Sequence, residues 1–229
     1  MKVPVYTSIR MDLDEGLGLL ELNAPPSNKM TLEFFREFSI ALEFIKKHDE
    51  FKALVICGHG RHFSSGADLT SLLNEVLLRS KTDKKGRLHG IPAFLSENYK
   101  SLLGLERLPI PVIAAIRGVC LGSALELALF SHFRICSEDA VFGLPEASFN
   151  LVPGLGGIFK LACITGEANA LSLVLRGSTF RAEDALKYKI VDKIEPRKEL
   201  MTKAFDFAKE VIQDFRMEKR RLYIKKYLS

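Results

Sequence analysis

Two short runs, FKALVICG (51–58) and PVIAAIRG (111–118), are apolar almost without interruption. Each is too short for a buried helix and stops at a glycine, so each reads as a buried strand. Stretches with helical spacing lie between such runs. The longest, LEFFREFSIALEFIKK, follows Thr31, a residue that caps helix starts. Further helices are expected through YKSLLGLERL and IFKLACIT, around 167–175 and 182–189, and over 198–226. Residues 4–10 and LGLLEL (17–22) read as strands around the turn DEG, FRICSEDAVFGLPE as two short strands and a turn, and IVDKIE as a late strand. Strands and helices alternate, which defines an α/β chain.

The chain has 229 residues, 47% hydrophobic and 27% charged, which suffices for one large domain with a core of its own. Residues 1–197 are expected to form that core and 198–229 a short C-terminal helical region. The formal net charge is +5, but much of it gathers in EKRRLYIKKYLS (218–229). A nucleic-acid binder spreads such charge along a stripe interleaved with aromatics, so no nucleic-acid partner is expected. No apolar run approaches a membrane span, and MKVPVYTSIRMDLDEG carries neither a signal-like apolar core nor an Arg-rich amphipathic pattern. The expectation is a cytoplasmic protein with no membrane partner. Four cysteines (57, 120, 136, 163) show no paired spacing. They read as free thiols, mostly buried, and no metal is expected.

Three segments carry chemistry. In GVCLGSALELALFSHF (118–133) a single carboxylate, Glu126, stands among Leu, Ala, Val and Phe. An ionised carboxylate in hydrocarbon is costly unless it is paired, hydrated or shifted in pKa. The helix is expected to start near Gly122 or Ser123, placing Glu126 about one turn in. By itself, an acidic residue in a first turn is ordinary. In HFSSGADL (62–69) small residues let the backbone approach a ligand, and Asp68 is placed to cap a following helix. In FGLPEASFNLVPGLGG (142–157) Pro145 stiffens the approach to Glu146, and Gly154, Gly156 and Gly157 form a second glycine loop; alone, Pro-Glu is a common helix start. Two carboxylates in apolar settings with two glycine turns suggest acid/base work at a developing oxyanion.

The order and spacing of FSSGADL, PVIAAIRGVCLGSALELA, AVFGLPEASFNLVPGLGG and FRAEDALKYKIVDKI resemble the enoyl-CoA hydratase/isomerase (crotonase) superfamily over roughly residues 4–200. The resemblance implies a spiral of repeated β-β-α units with C-terminal helices, here apparently shortened at the C-terminus. It implies assembly as a homotrimer or hexamer and a role in fatty acid metabolism. The N–H groups of Ala67 and Ser123 would form an oxyanion hole for a thioester carbonyl. Residues Ser65, Gly66, Ala67, Asp68, Leu69 and Thr70 would run beside the coenzyme A arm. Glu126 and Glu146 match the two hydratase glutamates, and Gly154 a glycine whose N–H helps place the water. Coenzyme A belongs to the substrate, so no separate cofactor is expected.

The chain departs from that pattern in three places. Ser123 and Ala124 stand where many members carry glycines. The region after the GAD turn lacks a lysine often found there, leaving Lys81, Lys84, Lys85 and Arg87 as nearby cations. Many members continue for about two more helices. The leading expectation is an enoyl-CoA hydratase acting on a trans-2-enoyl-CoA thioester. NAPPSNKMTLEFF also resembles the delta-3, delta-2-enoyl-CoA isomerase branch, and a crotonase-fold acyl-CoA binding protein with little catalysis is the alternative of a different class. His59 and His62 read as loop histidines, since no Ser/Cys–His–Asp arrangement is visible.

Overall fold

The computed structural model describes residues 3–68 and 93–214, with Asn74 and the strand residues 81–82 and 88–89 between them. Leu69, Thr70, the side chains of Lys81, Lys84, Lys85 and Arg87, and the basic segment 218–229 lie outside the described residues.

The larger of two principal sheets has six strands in the order β1 (Ile9–Asp14), β2 (Leu17–Leu22), β3 (Ala53–Gly58), β6 (Val112–Ile116), β8 (Phe133–Ser137) and β11 (Lys193–Glu195). Only the β1–β2 pair is antiparallel; β2, β3, β6, β8 and β11 run parallel. A small hairpin joins β4 (Lys81–Thr82) to β5 (Leu88–His89). Side chains alternate across a strand, and here both faces are covered. Leu54, Ile56, Val112, Ala114 and Ile116 join one hydrophobic cluster. Ala53, Val55, Cys57, Ile113 and Ala115 join another. That is why both runs carry apolar residues at every register position.

Helix α1 (Leu32–Lys47) covers the first face with Phe34, Phe35, Phe38, Leu42 and Ile45, and α2 (Ala93–Glu106) packs beside it. The Thr31 hydroxyl accepts the Phe34 N–H at 3.2 Å, the expected cap. The other face is closed by α7 (Leu200–Asp214), the described part of the C-terminal region. Its small residues Ala204 and Ala208 bring it close to β3, β6 and β8.

The second sheet contains β7 (Val119–Leu121), β9 (Val141–Gly143) and β10 (Phe180–Arg181), in the order β10-β9-β7. β6 in the large sheet continues into β7 in the small one, and β8 into β9. Two successive turns of the chain thus give one strand to each sheet, as expected for a spiral of β-β-α units. After β7 comes α3 (Ser123–Leu129). After β9 come a 3-10 turn (Pro145–Phe149), then α4 (Gly157–Thr165) and α5 (Glu167–Arg176). The short α6 (Ala182–Lys187) leads to β11.

Strand β1 begins five residues later than the sequence reading placed it. The reason is chemical: the N–H groups of Thr7 and Ser8 are bound by the Glu37 carboxylate at 2.7 and 2.8 Å, so they do not enter a ladder. Cys57, Cys120 and Cys136 are buried and Cys163 is exposed, all as free thiols. Among the described residues no helix is long and apolar enough to cross a membrane.

Candidate active site

The small sheet stacks three chain exits side by side. Ser64 forms a parallel bridge with Cys120, and Cys120 is in register with Phe142. Three residues past Ser64 lies Ala67; three past Cys120 lies Ser123; four past Phe142 lies Glu146. Neighbouring strands are about 5 Å apart, so these exits share one end of the sheet. Gly66 brings the first two together. A Cβ built on it, at φ +87°, would lie 2.5 Å from the Leu121 carbonyl oxygen and 3.3 Å from the Ser123 nitrogen.

The amide accounts of the two turns are nearly closed. Phe63, Ser64, Ser65, Gly66 and Asp68 donate their N–H groups to the Arg117 carbonyl, the Val119 carbonyl, the Ser27 carbonyl, the Ser64 Oγ and the Met30 carbonyl. The N–H of Ala67, inside that series, has no acceptor among the described residues. Across from it, Leu121 N–H donates to the Ser64 carbonyl and Gly122 N–H to the Gly143 carbonyl. Helix α3 begins at Ser123 because Gly122, at φ +54°, reverses the chain. The Ser123 N–H therefore points out of the helix start without an acceptor among the described residues. Backbone amides left open inside a folded protein are uncommon.

Glu146 reaches this place, and Glu126 lies within electrostatic reach of Glu146. Glu126 lies in α3, where all seven residues are buried, and is itself 1% exposed. Its Oε1 accepts the Leu155 N–H at 2.9 Å and the Gly157 N–H at 2.8 Å. Burial nevertheless wins over those two bonds, with Glu146 adding like-charge repulsion, and lifts its pKa to about 7. Glu146 sits on the 3-10 turn behind Pro145, the helix-start geometry its sequence suggested. Its Oε1 is 2.9 Å from the position a Cβ on Gly122 would take, beside the Ser123 amide. Its Oε2 is buried with no hydrogen-bond partner, and burial raises its pKa too. Glu146 thus lies beside the open end of α3, and Glu126 is near enough to Glu146 to feel its charge.

The remaining expected residues are distributed around this centre. Ser65 and Asp68 are half-buried beside the turn, with Lys29 Nζ 3.5 Å from Asp68 Oδ1. Gly154 is exposed and has open space around it, so a side chain would be tolerated sterically there. Sequence reasoning missed Leu155 and Gly157, the residues that hold Glu126. The signal was present in GLGG: a Cβ on Gly157 would stand 2.6 Å from Glu126 Cγ, a contact only glycine avoids. His62 is structural, its Nδ1 accepting the Val119 N–H at 3.1 Å, and His59 Nδ1 lies 3.3 Å from Glu21. Among the described residues no group of three His, Cys, Asp or Glu side chains is placed to hold a metal ion.

Residues 12–223 match the family model for enoyl-CoA hydratase/isomerase, and the chain belongs to that family. It is 35% identical over 202 residues to the fatty acid oxidation complex subunit alpha of Shewanella frigidimarina, covering 86% of this chain and 27% of that protein. The corresponding protein of Shewanella amazonensis is 36% identical over 200 residues, covering 85% and 27%. The chain therefore spans about a quarter of the length of these curated relatives. Among solved structures, the enoyl-CoA hydratase of Bacillus anthracis superposes with a TM-score of 0.79 at 28% identity, covering 90% of this chain and 76% of that one.

Proposed function

We propose that the protein is an enoyl-CoA hydratase that adds water across the double bond of a trans-2-enoyl-CoA thioester. What supports this reading is Glu146 Oε1 beside the start of α3, with Glu126 close enough to feel its charge and the Ala67 and Ser123 amides without acceptors among the described residues. Conjugate addition moves charge onto the thioester oxygen. Two fixed N–H donors stabilise that enolate, and one such donor is typically worth about 10²–10³ in rate. Water delivers hydroxyl to the β-carbon and gives its proton to one carboxylate, while the other carboxyl supplies the proton to the α-carbon. Proton exchange with solvent then resets the pair. Carboxyls with raised pKa values suit this exchange near neutral pH.

Ser65 to Asp68 would lie along the coenzyme A arm, with the Lys29 ammonium 3.5 Å from Asp68 as a cation at the turn. The family relationship supports an acyl-CoA ligand. The exposed apolar residues Val152, Phe159 and Leu175 support a homo-oligomer, read out by sedimentation of the purified chain.

The test is a product assay with crotonyl-CoA and a 3-enoyl-CoA, analysed by mass. Hydration adds water and changes mass; double-bond migration does not. Both Glu126→Gln and Glu146→Gln should lose hydration while the fold survives. Double-bond migration that persists in Glu126→Gln but not in Glu146→Gln would assign the isomerase reaction, which needs one base. Tight acyl-CoA binding without any product would leave a binding protein.

A further inference from the structure

Resting on the oxyanion reading above, we infer that the Ser64 hydroxyl is a positioning residue that leaves the Ala67 amide free to face the thioester oxygen. Ser64 is fully buried. Its Oγ donates to the Asn28 carbonyl at 2.6 Å and accepts the Gly66 N–H at 3.0 Å. It is thus the only side chain among the described residues to claim an amide within the 63–68 turn. Gly66 N–H and Ala67 N–H are successive donors in a turn whose glycine has φ +87°. Capturing the first on the inside leaves the second to point out. The Gly66 carbonyl, which shares a peptide plane with the Ala67 N–H, is fixed as well, accepting Met30 N–H at 2.9 Å. One peptide plane is therefore pinned by its oxygen, and the amide before it by Ser64.

The anchor for that pin is itself rigid. Asn28 is 1% exposed, and its side-chain amide reaches the carbonyls of His59, His62 and Phe63 at 2.9, 3.0 and 3.2 Å. Its Oδ1 accepts the Ala24 N–H at 3.1 Å. Asn28 at φ +51° thus ties the loop after β2 to the turn after β3, and Ser64 completes the tie from the other side. Without the hydroxyl, the Gly66 N–H has no acceptor in a buried place. The turn then gains by rotating that amide toward solvent or toward the ligand oxygen, and the Ala67 donor loses its aim. A general packing role would instead lower stability and leave the aim unchanged.

The experiment compares wild type with Ser64→Ala and Ser64→Cys. The cysteine keeps a side chain of similar shape but offers only a weak acceptor. Two readouts are taken. The first is kcat and KM for crotonyl-CoA hydration. The second is the carbonyl stretch of bound 2,4-hexadienoyl-CoA carrying 13C at its thioester carbon, which falls in frequency as donors polarise the oxygen. Ser64→Ala should lower kcat by about 10–100-fold, part of the value of one oxyanion donor, with KM within about threefold. It should also lose a large part of the binding-induced frequency shift, with Ser64→Cys between the two. An unchanged kcat and a full carbonyl shift in Ser64→Ala would overturn the inference, as would a loss confined to melting temperature. If Ser64→Ala does not fold, Ser64→Cys decides by the same criteria. A wild-type protein that binds the thioester with no carbonyl shift would defeat the oxyanion reading itself, which separates the two failures.

Discussion

Two buried carboxylates, Glu37 and Glu126, show how one chain uses the same group in opposite ways. Glu37 is 4% exposed and Glu126 1%. Glu37 in α1 accepts four hydrogen bonds, from the N–H and hydroxyl groups of Thr7 and Ser8, at 2.5–2.8 Å. Those donors overcome burial and bring its pKa down to about 2. Glu126 receives two donors, both on one oxygen, and burial keeps its pKa at about 7. The count of donors decides whether a buried carboxyl is a fixed anion that ties down an N-terminal segment or a group that exchanges a proton near neutrality.

The largest effect expected from breaking this contrast is on turnover. Glu126→Gln should lower crotonyl-CoA hydration by about 10²–10⁴-fold, the usual range for an acid/base group. Glu37→Gln should leave kcat per folded molecule within about threefold. A Glu37 variant as inactive as the Glu126 variant, while fully folded, would erase the distinction.

The next effect is on stability and has opposite signs at the two sites. The folded pKa of Glu126 lies above its ordinary 4.5, so the folded protein holds a proton that the unfolded chain has released. Stability from this group therefore falls as pH rises from about 4.5 to about 7, by roughly 3 kcal/mol in all. Glutamine at 126 keeps an oxygen for Leu155 and Gly157 and removes the titration. Glu126→Gln should accordingly be more stable than wild type at pH 8, by roughly 1–3 kcal/mol in urea melts. For Glu37 the folded pKa lies below 4.5. Its contribution is complete above that pH and disappears as pH falls toward about 2. Solvent reaching Thr7 screens the site, so Glu37→Gln should lose roughly 1–2 kcal/mol at pH 7. That deficit should shrink in acid. Melts in which both variants shift the same way at pH 8 would contradict the two-role picture.

The smallest effect sharpens the Glu126 side. Gly157→Ala places a Cβ 2.6 Å from Glu126 Cγ. On the proposed acid/base role of Glu126, it should lower kcat by roughly tenfold, the scale expected when a reacting group shifts by a fraction of an ångström. Gly154→Ala, with nothing within 4 Å of its Cβ position, should differ little from wild type. Equal losses in both variants would point to the loop backbone rather than to Glu126.

Much of this was legible from the residues because local signals and tertiary demands agree. The runs at 51–58 and 111–118 are buried strands because both faces of the sheet are covered. Thr31 caps, Gly122 turns the chain, and Glu126 is buried as its apolar neighbours suggested. What was not legible depends on contacts between distant segments. Nothing near Glu37 in sequence reveals that Thr7 and Ser8 would surround it. The glycine run 154–157 announces a close approach but not which amide makes it. Gly154 fitted the family pattern, whereas Leu155 and Gly157 hold the carboxylate. Asn28 and Ser64 look like ordinary turn residues until the loops after β2 and β3 lie side by side. Strands β7 and β9 carry the same apolar signal as β6 and β8, and only the bridge from Ser64 through Cys120 to Phe142 sorts them into another sheet.

The placement of the thiols equips the protein with its own clocks. Cys163 lies on the outside and should react with an alkylating reagent first, whereas the other three are buried and should react only when their surroundings open. Each of those reports a different layer: Cys57 lies under α7, Cys136 in β8, and Cys120 beneath the turn that bears Ala67. Burial also lifts Cys57 and Cys136 to about 12 and Cys120 well above its ordinary range, which suppresses thiolate and slows modification further. Mass spectrometry of briefly labelled native protein therefore times the opening of the two sheets separately, without an engineered probe.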